Sequence, residues 1–182
     1  MPRLIPRPLV AGYLIFDVLS CKEDYVTSQD TTQKIAEYIN EHHPKKKMLY
    51  DLGSSWGSFA LAISSQCPQL RVVAVDNSLL RVLISQCRAL FTNTAITCMR
   101  GDIFKTDIAS AELVYIYLPR VLLPDLAAKL EKELCSGAAV TTSRVCFPHW
   151  EPHETLRKNP ANKNEEDIFI YQFPFQRKDP KC

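Results

Sequence analysis

The sequence predicts an α/β fold: a doubly wound, mostly parallel sheet with an antiparallel C-terminal strand. Three observations carry the prediction. From about residue 28 onward, short apolar runs alternate with amphipathic stretches, the pattern of strands joined by crossover helices. The run "RVVAVDNS" reads as a buried strand with an acid at its C-terminal end, as in a parallel sheet covered on both faces. The final run, "DIFIYQFPF", arrives without a full crossover helix and so returns antiparallel.

The elements follow in order. "SQDTTQKIAEYINEHH" opens with N-cap residues and places Ile35, Tyr38 and Ile39 on one helical face. "KKKMLYDLG" is a lysine run leading into a short strand, and "GSFALAISSQC" is a helix with a broad apolar face. After the strand ending at Asp76, "SLLRVLISQCRALFTN" is an amphipathic helix with arginines on its polar side. "AITCMRGDIF" is a third strand with its turn, and "AELVYIYLP" a fourth ended by proline. "PDLAAKLEKELCSG" is a helix with an acid in its first turn and Gly137 as expected C-cap. "AAVTTSRVCF" is a fifth strand, and Pro148 to Glu166 reads as a polar, irregular tail.

A chain of 182 residues fits one domain with a real core. The formal net charge of +2 excludes a strong electrostatic case for nucleic acid, which needs clustered excess charge, and no such partner is expected. Seven cysteines without a Cys-x-x-Cys pair point to free thiols in a reducing, cytoplasmic setting. No metal site is expected: His149, Glu151, His153 and Glu154 lie in a Pro-rich segment without helical ligand spacing. Near the N-terminus, Arg3 and Arg7 precede an apolar run from Leu9 to Phe16, which Asp17 interrupts. The run is far short of the roughly 20 residues of a membrane span. Residues 1–24 are therefore read as an arm packed on the domain or a partner, with membrane contact left open, and 25–182 as one domain. Oligomeric state is not legible.

Three motifs carry candidate chemistry. The first is Asp51-Leu52-Gly53-Ser54-Ser55-Trp56-Gly57, where a strand runs into a glycine turn and a helix. Gly53 permits a tight turn, and Gly57 lets the helix pack closely and expose its N-terminal amides. An acid at Asp51 suits a cationic group better than a phosphate; a plain strand-turn-helix is the alternative. The second is Asp76 with Asn77 and Ser78, about 20 residues further on, where doubly wound folds place a ribose-binding acid. The same residues also serve as helix N-caps. The third is "RGDIF", in which Asp102 is placed to reach an adenine amino group and Ile103 and Phe104 to flank the ring; a capped turn is the alternative.

In this order and spacing the three motifs resemble the class I S-adenosylmethionine-dependent methyltransferases, over roughly residues 25 to 175. The downstream half, from "AELVYIYLP" through the Phe-Pro-x-Trp-x-Pro segment at Phe147 to Pro152, is similar to one group within them. That group holds bacterial methyltransferases and the mitochondrial lysine methyltransferases acting on adenine nucleotide translocase and on the c-ring protein of ATP synthase. Tyr25-Val26-Thr27 is similar to that group's Tyr-Val-Pro-Thr entrance segment. The resemblance implies a Rossmann-like, seven-stranded sheet and S-adenosyl-L-methionine as cofactor. It implies N-methylation of a protein lysine by in-line transfer from the sulfonium. Asp51, Gly53, Ser54, Ser55, Trp56 and Gly57 would form the methionine side, Asp76 and Asn77 the ribose side, and Asp102 and Ile103 the adenine side. Tyr117, Leu118 and Pro119 would line the pocket near the methyl group, with Tyr25 and Thr27 closing it; Tyr117 and Tyr25 are the candidate catalytic lining residues. Two departures stand out: Ser55 and Trp56 replace a glycine and an acid of the usual loop. "DLGSSWG…DNS" is also similar to the loop of carboxy-S-adenosylmethionine synthases. A cofactor-binding module with little catalysis, or a methyltransferase acting on a small molecule or RNA, remain the alternatives.

Overall fold

The computed structural model describes residues 26–92, 94–162 and 165–177; the N-terminal arm and Tyr25 lie outside them. Helix α1 (Gln29–His42) begins where the sequence places its cap, with the Ser28 hydroxyl accepting from the Thr31 amide at 3.1 Å. Such a cap is worth about 1 kcal/mol. Then come β1 (Met48–Leu52), α2 (Ser58–Gln66), β2 (Arg71–Asp76), α3 (Leu79–Thr92) and β3 (Ile96–Arg100). They are followed by β4 (Leu113–Ile116), a short 3-10 turn at Arg120–Leu122, α4 (Leu123–Glu133) and β5 (Ala139–Ser143). The chain continues through β6 (Trp150–Glu151), β7 (Glu154–Leu156), β8 (Ile168–Gln172) and β9 (Gln176–Arg177).

Seven strands form one sheet in the order β3-β2-β1-β4-β5-β8-β7. The first five are parallel, and β8 pairs antiparallel with both β5 and β7. Along each strand side chains alternate between two cores. Leu49, Val72, Leu113 and Tyr115 face α1 and α2, packing with Ile35, Ile39, Phe59 and Ile63. Leu52, Val75, Val114 and Ile116 face the opposite way, onto Leu123, Leu126 and Leu130 of α4. Truncating a side chain as enclosed as Leu126 costs about 2–5 kcal/mol. Strand order reverses between β1 and β4, so the chain leaves those two strands in opposite directions and opens a crevice at their C-terminal ends. The register sets Asp51 beside Tyr115 and Leu52 beside Ile116, which brings the Gly53 turn and Tyr117 together at that crevice.

Two details differ from expectation. Gly137 does not cap α4: the cap is Leu134, which turns to extended backbone because its own side chain is buried in the core. Gly137 lies three residues on, at φ +85°, in a turn closed by the Ala138 amide donating to the Cys135 carbonyl. The stretch from Pro148 to Glu166 is not wholly irregular either. It holds the two-residue β6, paired with β9, and β7, a three-residue edge strand whose half-buried pattern gives no alternating signal. The Phe-Pro-x-Trp-x-Pro segment is core: Trp150 stacks on Phe175 at 3.8 Å between centroids and packs with Phe147 and Tyr171. Among the described residues no helix is long and apolar enough to cross a membrane. The described cysteines are free thiols, and no cluster of described side chains has a metal-holding arrangement.

Candidate functional site

The turn after β1 is built on backbone hydrogen bonds to the neighbouring strand. The Gly53 and Ser54 amides both donate to the Val75 carbonyl at 2.9 Å, and the Gly57 amide to the Ser54 carbonyl. Gly53 has φ +85°, and a Cβ there would lie 2.6 Å from Leu118 Cδ2. Gly57, at φ +73°, caps α2; a Cβ would lie 2.7 Å from the Ser85 hydroxyl, so α2 and α3 approach closely only because it has none. Ser55 also occupies the left-handed region, at φ +49°. Its conformation is therefore the one the resembling loops provide with glycine. Replacing Ser55 by Val is expected to cost about 1–2 kcal/mol in denaturant unfolding, whereas Ser55→Gly stays within about 1 kcal/mol of wild type.

Two acids organise this turn. Asp76, at the end of β2, accepts from the Ser55 amide with Oδ2 and from the Ser78 amide with Oδ1, both at 2.9 Å. Ser78 in turn accepts from the Arg81 amide, so it caps the start of α3 while Asp76 faces the groove. Arg81 lies 3.9 Å from Asp76 Oδ2 and 5.4 Å from the centre of the Trp56 ring. Arg88 donates to the Trp56 carbonyl and to Ser58, so α3 holds the turn at both ends of Trp56. Asp51 is different. It is buried, and its Oδ2 has no hydrogen-bond partner among the described residues. Burial, reinforced by the nearby charge of Asp76, pushes its carboxyl up to about 8.

The crevice holds two joined compartments that share Gly53, Ser55 and Tyr117. The smaller is a narrow slot of about 20 Å³, lined by Asp51, Ser54, Trp56, Phe59, Tyr115 and Thr27, among others. The larger, about 380 Å³, is lined by Asp76, Asn77, Arg81, Asp102, Ile103, Phe104, Leu118, Pro119 and Leu122. Asp102 is exposed; it accepts from the Phe104 amide and lies 3.7 Å from Lys105. The capped turn and the groove-lining role thus coexist in the same segment. In the smaller compartment, Tyr115 is fixed by Thr27 at 2.6 Å and Ser143 at 2.9 Å, and its ring stacks on Phe59. Tyr117 donates to Glu166 at 2.6 Å.

The structure therefore brings Asp51, Gly53, Ser54, Ser55, Trp56, Asp76, Asn77, Asp102, Ile103 and Tyr117 to one groove. Gly57 stands just behind it as the cap of α2. Tyr25 lies outside the described residues, and Thr27 and Val26 are the described part of its segment. Arg81, Phe59 and Glu166 were not singled out from sequence. Arg81 follows Asp76 by five residues on the groove side of α3, a helical spacing from an acid that is readable in retrospect. Glu166 has no such signal, because its position depends on a long-range antiparallel return.

A Rossmann-like sheet in this order, with a ligand crevice at the β1 and β4 ends, defines the fold of the class I methyltransferases. The RNA methyltransferase from Salinibacter ruber in complex with S-adenosyl-L-homocysteine superposes with a TM-score of 0.65 at 19% identity, covering 99% of this chain and 98% of that one. The chain belongs to the ANTKMT methyltransferase domain family, whose sequence model matches residues 51–154. It is similar to a carboxy-S-adenosyl-L-methionine synthase of Shewanella baltica, 30% identical over 133 residues, 67% of this chain and 54% of the relative. A protein-lysine N-methyltransferase of Saccharolobus islandicus is 24% identical over 126 residues, 68% of this chain and 78% of the relative. A Rattus norvegicus lysine N-methyltransferase, named for the c-type subunit of ATP synthase, is 40% identical over 55 residues, 30% of this chain and 26% of the relative. The chain thus spans about half the length of the synthases it matches.

S-adenosylmethionine is the cofactor this membership implies, and the groove fits it. The unpartnered Asp51 Oδ2 offers a buried acceptor to an ammonium group. Asp76 lines the cavity next to it, held in place by the Ser55 and Ser78 amides that its two oxygens accept. Beyond it, Ile103, Leu118 and Leu122 offer apolar surface to a flat ring. The larger compartment alone falls within the usual range of small-molecule pockets.

Proposed function

We propose that the protein transfers the methyl group of S-adenosylmethionine to the side-chain amine of a protein lysine. The reading rests most heavily on one observation: a buried, unpartnered Asp51 oxygen sits one compartment away from Asp76 in a continuous groove. A ligand with an ammonium at one end and ribose hydroxyls further on meets both. Asp51 would hold the ammonium, aided by the Ser54 and Ser55 hydroxyls. Asp76 would hold the ribose, and Asp102 and Ile103 the adenine. Bound there, the cofactor supplies a methyl group already activated by its sulfonium.

The chain's own contribution is then positioning and exclusion of water. Trp56, pinned from α3, closes the small compartment beside Phe59 and Tyr115. Tyr117 forms the wall shared by both compartments, next to where a nucleophile must arrive. An attacking lysine must lose its proton first, and aromatic, low-dielectric walls lower its pKa in that direction. The choice of protein lysine as acceptor is supported by the relatives from Saccharolobus islandicus and Rattus norvegicus, which carry that activity in their names. A cytoplasmic setting is proposed from the free thiols alone. Calorimetry tests the cofactor half of the reading: S-adenosylmethionine and S-adenosylhomocysteine both bind with micromolar dissociation constants, on the order of −8 kcal/mol. An absence of binding by both overturns it.

A second reading has one observation in its favour. The "DLGSSWG" turn is similar to that of carboxy-S-adenosylmethionine synthases, and the Shewanella baltica synthase is a relative over two thirds of this chain. On that reading the groove binds the cofactor without passing its methyl group to a lysine. Binding without transfer of a labelled methyl group to any protein favours it.

A further inference from the structure

Helix α3 is amphipathic, yet its two arginines are turned inward and much of its apolar side outward. Arg81 and Arg88 lie on one side of the helix and hold Trp56 and the turn that carries it. Leu79, Leu83, Gln86 and Leu90 form a stripe on the other side, at helical spacings of three and four, with Cys87 and Phe91 beside it. All six are exposed. Leu90 is 81% and Phe91 91% exposed, whereas the Arg81 side chain is only 15% exposed. Between Arg81 and Arg100 the sequence has a single charged residue, Arg88, and it belongs to the inward side.

The stripe runs along the border of the sheet. β3 is the first strand in the sheet order and pairs on one side only, with β2. Gln86 Nε2 donates to the Cys98 carbonyl of β3 at 3.3 Å, which ties the stripe to that strand. Between the end of α3 and the start of β3 lies a groove of about 460 Å³, lined by Gln86, Ala89, Leu90, Thr94, Ala95 and Ile96. None of these side chains is charged. Sheet edges are commonly protected by lysines, prolines or bulges, and monomers rarely expose contiguous apolar patches beyond a few hundred Å². β3 carries neither lysine nor proline and keeps an unbroken register with β2. Its one charge, Arg100, stands at the far end, where Nε donates to the Asn77 carbonyl.

Exposed Leu90 and Phe91 thus stand beside an uncharged groove, so one surface holds both halves of a contact. A two-fold axis brings the same patch of two molecules together, and only a patch complementary to itself pairs that way. We propose that this face of α3 and β3 binds a second copy of this chain, with Phe91 of each copy seated in the α3–β3 groove of the other. With no charge on the patch and a formal net charge of only +2 on the chain, two copies meet without appreciable repulsion. A lipid surface fits less well. Helices that lie on membranes flank their apolar face with Lys and Arg, and here the arginines of α3 are engaged on the inward side. Because that side faces Asp76 and Trp56, away from the stripe, both cofactor grooves stay open in the pair.

Sedimentation velocity of the full chain, without cofactor, tests the pairing. Wild type is expected to sediment at twice the chain mass of 20.7 kDa, with a dissociation constant of about 10 μM or tighter. Leu90→Glu and Phe91→Glu each put a charge into the contact. Each is expected to weaken pairing at least about thirtyfold, as loss of a central anchor does, while Tm and S-adenosylhomocysteine affinity stay as in wild type. Hydrogen exchange on wild type gives a readout that needs no variant. Amides from 86 to 98 are expected to exchange at least about threefold more slowly at about 100 μM protein than at about 1 μM. A wild-type monomer at about 100 μM overturns the proposal, and flotation of that monomer with phosphatidylcholine vesicles assigns the patch to a lipid surface instead. A dimer that both variants leave intact places the contact elsewhere and overturns it as well.

Discussion

Asp76→Ala binds S-adenosylhomocysteine at least about a hundredfold more weakly than wild type in a calorimetric titration. Two ribose hydroxyls donating to one carboxylate are worth about 3 kcal/mol together, and each 1.4 kcal/mol is a factor of ten. The same substitution removes the acceptor of the Ser55 amide, so the turn that carries Ser54 and Trp56 loses its tie to β2. Because Asp76 also holds the Ser78 amide, some loss of stability accompanies the loss of binding. A thermal melt measures that part separately. Binding at full strength by a folded Asp76→Ala protein removes the ribose assignment.

Asp51→Asn is expected to separate stability from binding. In the unliganded protein, burial and the Asp76 charge raise the Asp51 carboxyl to about 8, well above its value of about 4 in an unfolded chain. Between these values the native state holds a proton that the unfolded state has released. Stability from this group is therefore complete below about pH 4 and lost as pH rises through about 8. The neutral amide of Asp51→Asn has no such dependence, so the variant gains on wild type in Tm as pH rises from 5 to 8. Cofactor binding runs the other way. An ammonium needs the ionised carboxylate, so wild-type affinity rises with pH by up to about tenfold per unit until about pH 8. The variant binds weakly and with a flat profile. A flat wild-type profile from pH 6 to 8.5 contradicts the pairing.

The fold was legible because its strands are continuous apolar runs separated by clear helical patterns. The antiparallel return of β8 was readable from the missing crossover helix. What escaped was either short or decided at a distance. β7 is three half-buried residues, and the end of α4 is set by the burial of Leu134 rather than by the nearby glycine. In the groove, Asp51, Asp76 and Asp102 were legible because each sits at the C-terminal end of a parallel strand, where topology brings their segments together. Trp56 was the uncertain residue of the turn. The structure places it against the small compartment, with Arg81 over its ring and Arg88 on its carbonyl. Glu166 was hidden in a run of three acids, and only the return of β8 past β5 singles it out.

Methyl transfer to lysine is read directly from labelled cofactor. The protein is incubated with S-adenosylmethionine labelled in its methyl group and with cell lysate, and the protein fraction is hydrolysed to amino acids. Label is expected in ε-N-methylated lysine with wild type and none with Asp76→Ala. Label in no amino acid, or in equal amount with both proteins, contradicts the proposed function.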